Sequence, residues 1–101
     1  MDKVPIPVAV DRDLEDLIPA FLKRREEDLD KLRKAHAEGD LDTVRVTGHS
    51  MKGTGGGYGF HGLSEIGAAI ELAAKAEDTA TIAMQIQALE DYLSRVDVRF
   101  E

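Results

Sequence analysis

The sequence has no cysteine and no tryptophan, and only five of its 101 residues are aromatic. Without cysteine there can be no disulfide framework, no zinc finger and no iron–sulfur cluster, which favours the cytoplasm as the compartment. No apolar run approaches the about 20 residues that cross a bilayer, and residues 1–10 lack the basic start and the continuous apolar stretch of a signal peptide. We therefore expect a soluble, untargeted cytoplasmic protein with no membrane partner.

Positive charge is also scarce, because 13 Lys and Arg face 20 Asp and Glu and give a formal net charge of −7. Binding to nucleic acid depends on a basic surface that displaces phosphate counterions, so a nucleic-acid partner is not expected. A chain of 101 residues has room for one hydrophobic core and not for two. We expect a single domain over residues 1–101 and a monomer.

Hydrophobic spacing predicts helices over most of the chain after residues 1–10, whose prolines indicate an extended lead-in. Pro19 interrupts the first apolar stripe, which predicts a short helix to about Ile18 and a longer one from Pro19 to Glu38. The run Lys23 to Asp28 is interpreted as a solvated face of paired charges.

Three further helices follow. For the first, Leu41 to Gly53, a short strand is the alternative, because β-branched residues such as Val44, Val46 and Thr47 weaken a helix, and glycine propensity ends it near Gly53. The next runs from Gly62 or Leu63 to about Glu77, and Asp78 or Thr79 caps the last one. The stripe of the last helix comprises Ile82, Ile86, Leu89, Leu93 and Val96. The predicted fold is all-α, an up-down-up-down four-helix bundle over residues 11–101 with an extra N-terminal segment.

Seven of the nine glycines lie between Gly48 and Gly62. Residues 57–62 match G-x-G-x-x-G literally, but this dinucleotide motif needs a preceding strand in a βαβ unit, and the flanks here are predicted helices. A P-loop needs Gly-Lys-Ser or Gly-Lys-Thr, whereas Lys52 precedes Gly53. The glycines therefore do not indicate a nucleotide site, although close helix packing or a turn could explain them.

On a helix, His49, Lys52 and Gly53 share one face, while Val44, Gly48 and Met51 turn toward the core. An exposed imidazole beside an ammonium, next to a residue without a side chain, suits a nucleophilic histidine that another macromolecule must reach. No acid occurs from Thr43 to Gly62, so Arg45 and Lys52 predict a local positive patch.

The other candidate residues have plainer interpretations. We expect His36 on the surface, Glu71 as a solvated or capping acid, and Tyr58 and Phe60 in packing roles. Three histidines separated by 13 and 12 residues give no metal-ligand spacing, so no metal site is expected, although folding could bring His49 and His61 together.

The segment from Gly48 to Gly53, followed by Gly57-Tyr58-Gly59-Phe60 and Leu63, resembles the histidine-containing phosphotransfer (HPt) domains of multistep phosphorelays. Their signature runs His-x-Leu-Lys-Gly, and here Met51 stands at the Leu position. The resemblance implies that His49 is phosphorylated, that Lys52 contacts the phosphoryl group and that Gly53 admits a receiver domain. It also implies that the helix continues past Gly53 toward Tyr58.

The expected function is thus a carrier that takes a phosphoryl group on His49 from a receiver aspartyl phosphate and passes it to another receiver. Receiver domains and a sensor histidine kinase are the expected partners. Residues expected to contact them are Arg45, Gly48, Ser50 and Gly56. The chain itself is expected to hold no cofactor, because Mg²⁺ belongs to the receiver, and 101 residues leave no room for a kinase's nucleotide-binding domain. The alternative is a docking module that binds a receiver or kinase without phosphoryl transfer.

Overall fold

The computed structural model describes residues 3–101, so the first two residues of the predicted lead-in lie outside the described part. Four long helices form most of the chain: α1 (Ile18–Glu38), α2 (Leu41–Tyr58), α3 (His61–Lys75) and α4 (Thr79–Arg95). A strand, β1 (Ile6–Val10), and a 3-10 helix (Arg12–Leu17) precede them, and a second strand, β2 (Val96–Phe100), follows. Among residues 3–101, no helix is both long enough and apolar enough to cross a bilayer.

The helix ends follow from local sequence. The side chains of Asp40 and Asp78 accept hydrogen bonds from the backbone N–H of Thr43 and Thr81, each at 3.1 Å, and so cap α2 and α4. Pro19 lies in the first turn of α1, where its missing N–H breaks no helical hydrogen bond. The predicted break near Ile18 is therefore confirmed, and the competing strand for residues 41–53 is wrong.

Each helix packs against its neighbours in sequence, and α1 also contacts α4, which closes the bundle. One hydrophobic cluster joins all four helices to β1. Its fully buried side chains are Val44, Met51, Phe60, Leu63, Ile70, Ile82, Leu89 and Leu32, each 0 % exposed. The rings of Phe21 and Phe60 stack with centroids 5.0 Å apart, and Tyr58 lies 4.4 Å from Phe21, so the predicted packing roles of Phe60 and Tyr58 are confirmed. The all-α four-helix bundle is the observed fold.

The predicted extended lead-in contains strand β1, which pairs in parallel with β2. In this pairing Ile6 lies opposite Val96, and Val10 lies opposite Phe100. Alternation along β1 buries Val8 and Val10, which are 7 % and 2 % exposed. The prediction that Val96 continues the last helical stripe is wrong, since α4 ends at Arg95. The helical bundle thus ends before residue 101, and both ends of the described chain join in a small sheet.

The second helix extends to Tyr58, as the resemblance implied and against the glycine propensities. Glycines of both α2 and α3 permit close packing: a Cβ on Gly48 of α2 would lie 2.8 Å from the backbone N of Glu71, and one on Gly67 of α3 would lie 2.6 Å from the backbone N of Lys52. This packing of α2 on α3 offsets the about 1 kcal/mol that each helical glycine costs. The helix ends at Tyr58 and is capped by Gly59, whose φ of +90° suits a glycine.

Candidate functional site

His49 lies in the middle of α2 with 65 % of its side chain exposed. Its Nδ1 is 2.8 Å from Oε2 of Glu71, a residue of α3 that is only 7 % exposed. The expectation that Glu71 is a solvated or capping acid is therefore wrong. The close approach of the two helices at Gly48 and Gly67 brings this carboxylate under the imidazole.

This contact fixes the proton on the imidazole. A carboxylate can only accept hydrogen bonds, so the Nδ1–H of His49 must donate to Glu71. In neutral imidazole one nitrogen carries the proton and the other keeps a lone pair, so Nε2 holds the free lone pair. An exposed histidine whose Nε2 is unprotonated is a competent nucleophile near neutral pH.

Glu71 also holds Lys52, whose Nζ donates to Oε1 at 2.8 Å. The pKa of Glu71 is lowered to about 2. The hydrogen bond from Lys52 is the largest cause, burial opposes it, and the bond from His49 and the charges of Lys52 and Lys75 contribute to the lowering. Glu71 is consequently ionised at neutral pH and accepts from both site residues. The structure thus brings His49 and Lys52 together through an acid that lies outside the glycine-rich segment.

The predicted positive patch around His49 is wrong, because its two cations are paired with acids. Arg45 donates from Nη2 to Oδ1 of Asp42 at 2.9 Å, and Lys52 is paired with Glu71. Both cations of the acid-free segment therefore have an acidic partner in the fold. A third cation, Lys75, lies 3.7 Å from Oε2 of Glu71 and leaves this group of five charges with one positive charge in excess.

The small residues around His49 differ in their surroundings. Gly53 is exposed, and a Cβ placed there would meet nothing within 4 Å, so the surface one turn beyond His49 is open. Ser50 and Gly56 are also exposed. Gly48 is buried against α3, so its expected contact with a partner disagrees with its position, and its role is helix packing.

Arg25 is a buried cation that sequence reasoning assigned to a solvated face, and this interpretation is wrong. It is 6 % exposed, pairs with Asp28 at 2.9 Å and donates from Nη1 to Oγ1 of Thr54 at 2.9 Å. Thr54 in turn donates to the backbone carbonyl of Ser50 at 3.0 Å. Arg25 therefore ties α1 to the turn of α2 that follows His49.

The other two histidines lie elsewhere. Nε2 of His36 is 3.1 Å from the carbonyl of Thr79, which joins the end of α1 to the start of α4. His61 begins α3 beside β1 and Tyr92, and ten residues, about 15 Å of helix, separate it from Glu71. Folding does not bring His61 to the site of His49. No group of three or more metal-ligating side chains occurs among residues 3–101.

Comparison with known proteins gives one family. The family model described as Hpt domain matches residues 16–98, which covers all four helices and the site around His49. The chain belongs to the Hpt family. Comparisons with curated proteins and with solved structures gave no significant match. As an Hpt domain, the chain is a histidine-containing carrier of phosphorelays in two-component signalling, and the family interacts with receiver domains and kinases.

Two residues of this Hpt site were missed from the sequence although a signal exists for each. Arg25 interrupts the apolar stripe of Phe21, Leu29 and Leu32 at a position where burial is expected. Glu71 lies four residues after Gly67 and beside Ile70, on the face of α3 that packs into the core. A charged residue on a buried helix face indicates a specific partner, because an unpaired buried charge is costly.

Proposed function

We propose that this chain accepts a phosphoryl group on Nε2 of His49 from the aspartyl phosphate of a receiver domain and passes it to the aspartate of another receiver. The observation that carries the proposal is the hydrogen bond from His49 Nδ1–H to Glu71, which leaves the exposed Nε2 with its lone pair free. Gly53 supports it, because a receiver must bring its aspartate close to this nitrogen and the surface beside it is open.

The transfer needs no proton to leave the ring. The Nε2 lone pair attacks phosphorus, the Nε2–P bond forms, and the bond from phosphorus to the aspartate oxygen breaks with its electron pair on the leaving carboxylate. The imidazole retains its Nδ1–H and becomes an imidazolium, which the carboxylate of Glu71 stabilises through the same hydrogen bond. Lys52 is placed to neutralise phosphoryl oxygens, and the receiver supplies Mg²⁺.

The proposed partners are receiver domains and a sensor histidine kinase, and the proposed form is a cytoplasmic monomer. Of the surface residues near His49, Gly53, Ser50 and Gly56 are exposed and available to such a partner. Arg45 lies one turn before His49, and its side chain is 41 % exposed beside Asp42. Its proposed role is to contact the rim of the docked receiver.

Incubation with a phosphorylated receiver or a small phosphodonor tests the transfer. We expect acid-labile, alkali-stable label on the wild type, none on His49→Gln, and undiminished label on the matched variants His36→Gln and His61→Gln. Labelling of His49→Gln would contradict the assignment of the acceptor. A wild type that binds the receiver without taking label would instead support the docking module.

Nitrogen NMR of the imidazoles tests the observation on which the proposal rests. In the wild type we expect His49 to carry its proton on Nδ1 and to leave Nε2 unprotonated. In Glu71→Leu the acceptor is gone, so both tautomers should be populated and labelling should fall about tenfold, as is typical when a hydrogen bond to a charged group is lost. An unchanged tautomer in Glu71→Leu would show that Glu71 does not set it.

A further inference from the structure

We propose that Lys75 is a positioning residue for phosphoryl transfer, because it takes over the carboxylate of Glu71 when Lys52 turns to the phosphoryl group. This inference rests on the proposed function of His49. It starts from a conflict at the site: the ammonium best placed to meet phosphoryl oxygens already donates a 2.8 Å hydrogen bond to Glu71.

While Lys52 is paired with Glu71, the carboxylate largely cancels its charge. When Lys52 turns away, the carboxylate of Glu71 is left unpaired beside the incoming phosphoryl group. The carboxylate and the phosphoryl group would then repel each other. Burial makes this worse, since only 10 % of the Glu71 side chain is exposed and water screens it poorly. Release of Lys52 therefore needs a second cation at Glu71.

Lys75 meets this need. It lies one turn beyond Glu71 on α3, and its Nζ is 3.7 Å from Oε2, beyond a hydrogen bond but close enough for attraction between the charges. Its side chain is 57 % exposed, so a small rotation can bring it onto the carboxylate. Among residues 3–101, Glu71 is the ion-pair partner of Lys75, and no second acid competes for it.

Charge counting supports the same role. Asp42 with Arg45, and Glu71 with Lys52, are neutral pairs, so Lys75 supplies the positive charge in excess. A phosphoryl group on His49 carries about two negative charges at neutral pH, of which the imidazolium offsets one. With Lys75 in place, Glu71 remains neutralised while Lys52 serves the phosphoryl oxygens. Without Lys75, the ammonium of Lys52 has to neutralise both the carboxylate of Glu71 and the phosphoryl group.

The test compares Lys75→Gln with Lys75→Arg and with Lys34→Gln, which removes an exposed lysine from α1, away from the site. We expect Lys75→Gln to slow transfer from a phosphorylated receiver about two- to fivefold, as for a partly exposed ion pair. Lys75→Arg should restore most of the rate, and Lys34→Gln should leave it unchanged. The defect of Lys75→Gln should shrink as salt rises.

A double-mutant cycle with Lys52→Gln separates this role from a general electrostatic one. If the two lysines share Glu71, removal of Lys75 costs more once Lys52 is absent, because neither ammonium then neutralises the carboxylate. The double variant should therefore lose more than the product of the two single losses. Additive losses would overturn the proposal, and so would a Lys75→Gln that behaves like Lys34→Gln. In both cases His49 of the wild type still takes label, whereas failure of the proposed function removes that label altogether.

A readout independent of transfer is the titration of the Glu71 carboxyl carbon by NMR. Because the charge of Lys75 contributes to the lowered pKa of Glu71, Lys75→Gln should raise that pKa in the unphosphorylated protein, while Lys34→Gln should not. An unchanged titration would mean that Lys75 does not interact with Glu71 in solution.

Discussion

Glu71 illustrates how one side chain determines the state of two others. Its two oxygens take different partners, Oε2 accepting from His49 and Oε1 from Lys52, each at 2.8 Å. The first bond sets which nitrogen of the imidazole keeps its lone pair, and the second holds the ammonium of Lys52 one turn away from it. Loss of this carboxylate should therefore disturb both the nucleophile and its charge compensation.

The lowered pKa of Glu71 makes a prediction about acid stability. The pKa falls from 4.5 to about 2 on folding, so the ionised carboxylate stabilises the fold above pH 4.5, and this contribution disappears as the pH falls toward 2. We expect the difference in free energy of unfolding between wild type and Glu71→Gln to be constant near neutrality and to shrink over that interval. Urea unfolding at a series of pH values measures it.

The matched control for this titration is Glu65→Gln, on the same helix but exposed. A surface substitution of this kind changes stability by less than about 0.5 kcal/mol, and we expect no comparable dependence on pH. A difference between wild type and Glu71→Gln that does not shrink between pH 4.5 and pH 2 would contradict the assigned role of the carboxylate.

At the level of single residues, the sequence predicted the face that His49 and Lys52 share, because a helix period relates residues three apart. It did not predict their link to Glu71, since that contact joins two helices across 22 and 19 residues of sequence. It also placed Arg25 in solvent, because the run of charges around it outweighed its place in the apolar stripe. Local patterns thus identified the proposed phosphoacceptor and missed the groups that contact it and its helix.

The element that matters most is α2, whose glycines divide into two kinds. A Cβ on Gly53 meets nothing within 4 Å, whereas one on Gly48 lies 2.8 Å from backbone of α3. We expect Gly53→Ala to stabilise the protein by about 1 kcal/mol through helix propensity. Gly48→Ala should destabilise it by about 1–3 kcal/mol through overpacking. Urea unfolding distinguishes the two.

A second pair of glycines, Gly53 and Gly57, separates stability from transfer. If Gly53 is kept bare for the approaching receiver, Gly53→Leu should remain folded yet slow labelling of His49, while Gly57→Leu, another open helical position but a turn further from His49, should slow it less. Wild-type rates in Gly53→Leu would show that the receiver does not use this surface.

The end of α2 shows why propensity alone failed. Glycines between Gly53 and Gly57 predict an end near Gly53, but α2 continues to Tyr58. Gly55 packs against α3, where a Cβ would lie 2.8 Å from the backbone N of Ser64, and Tyr58 packs on Phe21. Tertiary contacts on both sides of the helix outweigh its weak local preference, and no single-residue scale contains them.

For the whole molecule, the sheet formed by the two ends of the described chain extends the core beyond the family match at residues 16–98. Val10 is 2 % exposed, so Val10→Ala should lower the free energy of unfolding by about 1.5–3 kcal/mol. Val4→Ala, at a position 70 % exposed, is the control and should have little effect. Equal effects of the two variants would mean that β1 is not part of the folded core.

The four-helix order was predictable because each helix carries its own apolar stripe, and because α2 and α4 each begin at a capping aspartate. The strand pairing was not, because Ile6 and Val96 are far apart in sequence and each strand has only five residues. A segment that short gives too little alternation to show its partner. The sequence therefore predicted the four-helix bundle but not the pairing of β1 with β2.

Parallel pairing of β1 with β2 also determines how the fold bears mechanical load. The start of β1, at Ile6, lies beside Val96, and the end of β2, at Phe100, lies beside Val10, so the chain leaves this ribbon at opposite ends. Tension applied through both flanking segments therefore slides the strands along each other and strains their hydrogen bonds together, in shear, instead of opening them one by one. The four helices, and with them His49, lie between β1 and β2 in the sequence. They therefore bear no tension along the chain until the hydrogen bonds between the two strands break.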